Sequence, residues 1–152
     1  LQNAQIIVHN PPDDGTLRGT ADTLGIPAIT VEVGNPNLFQ KGMVKDGLSG
    51  IYNLLVELQM IRYSPMQEDY TSPVICERSF WLYTNEGGIL TVHPEVTDTV
   101  AKGEIVAVTR NIFGELIKEY YAPEDGVVIG KSVNPINQTG GRILHLGILG
   151  DI

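Results

Sequence analysis

Short apolar runs alternate with helically spaced positions over the first third of the chain. Residues 4–8 read Ala-Gln-Ile-Ile-Val and predict a strand, and residues 16–24 suit a helix that Gly25 ends. Residues 26–33 read Ile-Pro-Ala-Ile-Thr-Val-Glu-Val, which is rich in β-branched residues and predicts a second strand. The order strand, helix, strand is typical of a parallel βαβ unit.

A longer amphipathic helix is predicted downstream of the second strand. Asp46 is its candidate N-cap, and apolar residues then recur every three or four positions, at Leu48, Ile51, Tyr52, Leu55, Leu58 and Ile61. Because two strands are too few for a complete doubly wound sheet, we expect the missing strands to precede Leu1. The chain therefore has the pattern of a C-terminal fragment.

The pattern changes across a polar, proline-bearing stretch at residues 64–73. Beyond it, short alternating segments are separated by Gly and Pro turns, which predicts a small antiparallel barrel or sandwich. We therefore predict an α/β piece over residues 1–68 and an all-β domain over residues 69–152. The predicted β segments are Ser79–Thr84, Gly88–Val92, Ile105–Thr109, Glu115–Tyr121, Gly126–Ile129 and Arg142–Ile148.

Charge and cysteine content narrow the classes of partner. Ten basic residues stand against eighteen acidic ones, and the formal net charge is -8. No run of Lys or Arg could neutralise phosphates, so neither nucleic acid nor an acidic membrane is expected as a partner.

Cys76 is the only cysteine, so no internal disulfide can form and a cytoplasmic setting is expected. No apolar run reaches the roughly 20 residues that a membrane helix needs.

One carboxylate stands inside the predicted second strand. Glu32 lies between Val31 and Val33, so a strand that is buried on this apolar pattern would bury it as well. Burial of an ionised carboxyl is costly unless a neighbouring group stabilises the charge, so such a residue is usually retained for chemistry. The alternative is a structural glutamate whose side chain faces a solvated edge or a helix N-terminus.

An ordered set of motifs surrounds this glutamate. Gly-Thr-Leu-Arg at residues 15–18 precedes a helix and then Gly-Ile-Pro-Ala-Ile-Thr-Val-Glu-Val-Gly at residues 25–34. The β region continues the set with Gly87–Leu90, Val100–Glu104, Phe113-Gly114 and Ala122–Val128. Together they resemble the succinylglutamate desuccinylase and aspartoacylase family, zinc-dependent amidohydrolases related to the zinc carboxypeptidases. The resemblance implies that residues 1–68 are the C-terminal part of a zinc-carboxypeptidase-like catalytic domain.

The resemblance also implies an activity and roles for three residues. The activity is cleavage of the amide bond of N-acyl amino acids or related small acyl compounds, with Glu32 as general base and then general acid. Arg18 would pair with the carboxylate of the substrate, and Asn35 would line the mouth of the pocket. A solvent-exposed helix arginine and ordinary turn chemistry around Asn35 are the structural alternatives.

The zinc site is where the sequence departs from the family. The family binds zinc through a His-x-x-Glu pair and a later histidine, and no His-x-x-Glu occurs in this sequence. We therefore expect zinc to be a cofactor of the full-length protein, held by ligands outside this chain, and we expect the chain alone to be inactive. His9, His93 and His145 are interpreted as structural.

A second reading comes from the β region, which also resembles the biotinyl and lipoyl carrier domains. Those domains carry their cofactor on a lysine seven residues before an Ala-Pro pair, and Glu115 stands at that position here, while Lys118 is only four residues before Ala122. The alternative function is thus a noncatalytic, carrier-like β binding module with a structural βαβ stub. For the enzyme, we expect a small N-acyl substrate as the partner. A homo-oligomer is also possible on this sequence.

Overall fold

The computed structural model describes residues 2–13, 15–62 and 72–150, and these form two compact units. The first unit comprises the described residues of Leu1–Gln5 and Asn10–Pro73, and the second those of Ile6–His9 and Val74–Ile152. Most of the polar stretch at residues 64–73 lies outside the described residues, so the predicted boundary at residues 68 and 69 stays a prediction. No helix in the described ranges is long and apolar enough to cross a membrane.

Both predicted helices are present in the first unit. Helix α1 spans Leu17–Thr23, and the Thr16 hydroxyl caps it by accepting a hydrogen bond from the Gly19 N–H at 3.0 Å. The helix ends at Gly25, whose φ of 73° is the left-handed conformation that glycine adopts without strain. The prediction of this helix and of its terminator is confirmed.

Helix α2 spans Lys41–Glu57, which corrects the predicted start of the second helix. Asp46 was expected as the N-cap but lies inside the helix, and the capping position is held by Gln40 without a side-chain cap. Val44 lies four residues before Leu48, so the apolar spacing continues upstream of Asp46 and the helix starts earlier in spite of Gly42.

The second predicted strand is wrong. Residues 26–33 have no regular secondary structure and pair with no strand in the part of the chain that the structure describes. The side chains of Ile26, Ile29, Val31 and Val33 are between 47% and 66% exposed. These residues form no strand because β propensity produces one only where a neighbouring backbone takes up the N–H and C=O groups.

The described residues of the second unit form nine strands in two sheets. The five-stranded sheet has the order β1-β2-β9-β7-β4 and the four-stranded sheet the order β6-β5-β3-β8. The strands are β1 (Ile6–Val8), β2 (Val74–Tyr83), β3 (Gly88–Val92), β4 (Thr99–Val100), β5 (Ile105–Arg110), β6 (Leu116–Tyr121), β7 (Gly126–Lys131), β8 (Ile136–Asn137) and β9 (Arg142–Leu149). All six predicted β segments are confirmed, and the pattern missed β4 and β8, which have two residues each.

A parallel strand pair does exist, but with a different second member. Strand β1 pairs in parallel with the start of β2, so that Ile6 lies opposite Val74 and Val8 opposite Cys76. The remaining neighbours in both sheets are antiparallel. The mixed α/β class is therefore correct, with the parallel connection running from β1 to β2 instead of from β1 to residues 26–33. The likeness to a carrier domain stays a prediction.

The hydrophobic core of the second unit is built from both sheets. Alternation along β9 directs Leu144 and Leu146 into it, and Phe80 and Leu82 of β2 pack against it. The other fully or nearly fully buried members are Leu90, Val100, Val106, Ala107, Tyr120, Ala122, Val128 and Ile143. This core fixes the register of β2 against β9 and thereby the positions of the side chains on the opposite face.

Close packing around Gly126 gives a stability prediction. A Cβ at this position would lie 2.5 Å from the carbonyl oxygen of Gly147 and 3.0 Å from Leu146 Cδ1. Because backbone cannot give way cheaply, Gly126→Ala should destabilise the second unit by roughly 1–3 kcal/mol and lower its thermal midpoint by about 5 °C or more. Gly87→Ala is the matched control, since its nearest contact would be an ordinary 3.4 Å. Equal midpoints for the two variants, measured by circular dichroism, would contradict this packing.

Candidate functional site

Glu32 lies in the irregular segment between Gly25 and Gly34, and its side chain is exposed. The expectation that this carboxylate is buried is therefore wrong for the structure described. The cause is the unpaired backbone around it, because a strand without neighbours has no sheet face into which a side chain can be enclosed. Its role as a proton carrier is a matter for the proposal below.

Arg18 projects from the first turn of α1 and is half-buried. Its Nη2 donates a hydrogen bond to the Pro11 carbonyl oxygen at 3.0 Å. This bond ties the helix to the loop that precedes it. A guanidinium group has five N–H donors and can take part in several hydrogen bonds at once.

Asn35 organises the turn that follows the irregular segment. Its side-chain Oδ1 accepts from the Asn37 N–H at 2.9 Å, and its own N–H donates to Gln40 Oε1 at 2.6 Å. The first of these bonds forms an Asx turn. The local contacts of Asn35 are therefore those of an ordinary turn residue, which was the structural alternative to a role at the pocket mouth. The residue also lines an open groove of about 340 Å³ beside α2. The apolar residues of this groove include Val33, Leu38, Phe39, Met43 and Val44, whereas Arg18 and Glu32 do not line it.

The histidines do not assemble a metal site within the described ranges. The backbone N–H of His9 donates to the Cys76 carbonyl oxygen, and that of His93 donates to the Val106 carbonyl oxygen, each at 2.9 Å. No group of three or more His, Cys, Asp or Glu side chains among the described residues could hold a metal ion. Since a catalytic zinc ion takes three protein ligands and a water, these residues alone do not fit one.

Sequence reasoning missed a polar and aromatic cluster on β2 and β9. The imidazole of His145 stacks on Trp81 with 4.8 Å between ring centroids and an interplanar angle of 13°. His145 Nε2 lies 2.9 Å from Ser79 Oγ, and the Cζ of Arg142 lies 4.7 Å from the Trp81 ring centroid. Period-two spacing of Ser79 and Trp81 was a signal that both share a face, but the register that brings β9 beside them was not readable from the sequence.

The ion pairs of the second unit have a structural role. Lys131 Nζ donates to the Pro94 carbonyl oxygen and to Glu95 Oε1, both at 2.9 Å, and so fastens β7 to the turn after β3. Arg78 and Glu124 form a second pair at 2.6 Å on the surface, and this hydrogen bond raises the pKa of the Arg78 guanidinium. Exposed pairs of this kind contribute little to stability.

Comparison with known proteins finds solved structures with a similar fold. No family model and no curated protein matches the chain. The product-bound structure of the ectoine utilization protein EutE (DoeB) from Ruegeria pomeroyi matches with a TM-score of 0.83 at 20% identity, over 97% of this chain and 46% of that chain. A succinylglutamate desuccinylase from Silicibacter sp. TM1040 matches with a TM-score of 0.81 at 20% identity, over 98% and 46%.

A third structure extends the same pattern. Succinylglutamate desuccinylase/aspartoacylase from Rhodobacter sphaeroides matches with a TM-score of 0.75 at 15% identity, over 91% of this chain and 45% of that chain. The chain has the fold of these proteins, and the resemblance predicted from its motifs is confirmed at the level of fold. It spans about half the length of the solved chains that it matches.

Cys76 gives a test of the burial at the start of the five-stranded sheet. Its side chain has no exposed surface, and burial raises the pKa of its thiol. Both effects suppress the reactive thiolate, so a thiol reagent at neutral pH should label the native chain about 100-fold more slowly than the chain in guanidinium chloride. Cys76 is the only cysteine, so the signal is unambiguous. Similar labelling rates in the two conditions would contradict the burial.

Proposed function

We propose that this chain is the C-terminal portion of a zinc-dependent hydrolase that cleaves the amide bond of N-acyl amino acids or related small acyl compounds. The observation that carries the proposal is the match of 97% of this chain to 46% of the EutE (DoeB) chain. A succinylglutamate desuccinylase matches over nearly the same extent. The motifs around Arg18 and Glu32 add support from the sequence.

The exposed apolar segment at residues 26–33 supports the view that the first unit is completed by further polypeptide. Four of its apolar side chains are exposed, and its backbone has no strand partner in the described residues. Neighbouring strands would satisfy the backbone and cover these side chains. The same change would enclose Glu32, which is the environment that a carboxylate needs in order to both accept and return a proton.

In the proposed reaction, water attacks the amide carbon while the Glu32 carboxylate accepts a proton from that water. The C–N bond then breaks, and Glu32 returns the proton to the departing amine. Arg18 would hold the substrate carboxylate with a forked pair of hydrogen bonds, and Asn35 would border the entrance. Because the described residues do not fit a zinc site, the metal ligands would lie outside this chain.

The setting proposed for this hydrolase is the cytoplasm, in line with a chain that has one cysteine and so no internal disulfide. The carrier-like alternative has less support. Glu115, which cannot be biotinylated or lipoylated, stands where a carrier domain has its lysine.

Replacement of the proposed proton carrier is the first test. In the full-length gene product, Glu32→Gln should lower the rate of N-acyl amino acid hydrolysis by roughly 10²-fold or more, because the amide cannot accept the proton. Glu86→Gln is the matched control, since Glu86 is an exposed glutamate of the second unit. The measurement is amine release, together with the metal content of each variant. A Glu32→Gln enzyme that keeps its rate and its metal would refute the assigned role.

The chain by itself provides the second test. The 152 residues alone should hydrolyse neither N-acetyl nor N-succinyl amino acids above the buffer rate, with or without added Zn²⁺, because the described part lacks a ligand set. Amine release is again the readout, with the full-length product as positive control. Zinc-dependent turnover by the isolated chain would overturn the proposal that its site is completed from outside.

A further inference from the structure

Arg142 contacts an aromatic ring, and no carboxylate among the described residues, in a chain with an excess of acidic residues. The chain carries eighteen acidic and ten basic residues, yet within the described residues the Arg142 guanidinium takes part in no ion pair. It lies against Trp81 instead, with Cζ 4.7 Å from the ring centroid. A guanidinium held over an aromatic face keeps its N–H donors in its own plane, where they can reach a planar acceptor.

His145 and Ser79 add polar groups beside the same indole ring. The His145 ring stacks on Trp81 at 4.8 Å, and the 2.9 Å contact with Ser79 Oγ fixes the position of its Nε2. Strand register places His145 directly opposite Trp81 on one side and Gly130 on the other. The indole is therefore bordered by a permanent cation and by an imidazole whose orientation is fixed.

Gly130 keeps this surface open. A Cβ at position 130 would lie 3.8 Å from both Trp81 Cη2 and His145 Cβ, which is ordinary contact distance. A long side chain at this position would extend over the two rings, whereas glycine leaves them uncovered. His145 alternates with the core residues Leu144 and Leu146, so it lies on the opposite sheet face. The irregular register between Trp81 and Tyr83 brings Arg142 to the same indole ring.

The geometry points to a binding site for a small carboxylate formed by Arg142, Trp81, His145 and Ser79. The carboxylate accepts a forked pair of hydrogen bonds from Arg142, the carbon chain of the ligand lies along the indole, and the His145–Ser79 pair supplies further polar contacts. A carboxylate is favoured over phosphate because Arg142 is the one permanent cation of the cluster and matches the single negative charge of a carboxylate, whereas phosphate carries nearly two negative charges at neutral pH. This inference does not rest on the proposed hydrolase activity, since it involves no residue of the first unit.

The single tryptophan makes the site directly observable. Trp81 is the only tryptophan of the chain, so its fluorescence reports this cluster alone. Succinate titrated into the 152-residue chain at constant ionic strength should change Trp81 emission along a saturable curve. Arg142→Gln should weaken the apparent affinity at least tenfold, as loss of a charge-assisted pair of hydrogen bonds implies. Arg142→Lys keeps the charge without the fork and should also bind more weakly.

Controls separate the proposed site from general effects of anions. Lys118→Gln removes an exposed positive charge elsewhere in the second unit and should leave the succinate curve unchanged. Thermal midpoints within about 2 °C of the unmodified chain would establish that each variant is folded. A linear response, an Arg142→Gln curve that equals that of the unmodified chain, or equal binding of inorganic phosphate would each overturn the carboxylate site. None of these outcomes bears on Glu32, so this test and that of the hydrolase can fail separately.

Discussion

Strand pairing is the constraint on which the rest of this structure depends. A strand forms only where a neighbouring backbone takes up its N–H and C=O groups, and such neighbours are present for the strands of the second unit but not for residues 26–33 among the described residues. In the second unit, β9 pairs with both β2 and β7, and every strand has at least one neighbour. In the first unit, residues 26–33 have the composition of a strand but no neighbour among the described residues.

The same constraint explains what could be predicted from the sequence. Six β segments and both helices were predictable because alternation, helical spacing and glycine turns act locally. The two-residue strands β4 and β8 were not, since they exist only through the strands that they contact. Asp46 was misplaced as a cap because the apolar spacing continues upstream of it to Val44, which lies four residues before Leu48.

The candidate site residues also fall into those that the sequence indicated and those that it did not. The motifs around Arg18, Glu32 and Asn35 were visible in sequence, yet the burial of Glu32 was predicted from a strand that is unpaired in this structure. The cluster around Trp81 was invisible for the opposite reason. Its residues come from β2 and β9, and only the register that the core imposes brings Ser79, Trp81 and His145 together.

The position of β1 in the chain has a consequence for folding. Residues 9–73 separate β1 from β2, and none of the described residues in between forms a strand that could shorten the path. Closure of so long a loop costs more chain entropy than closure of the short turn across which β5 and β6 meet. We therefore expect β1 to join its sheet after the antiparallel strands have paired.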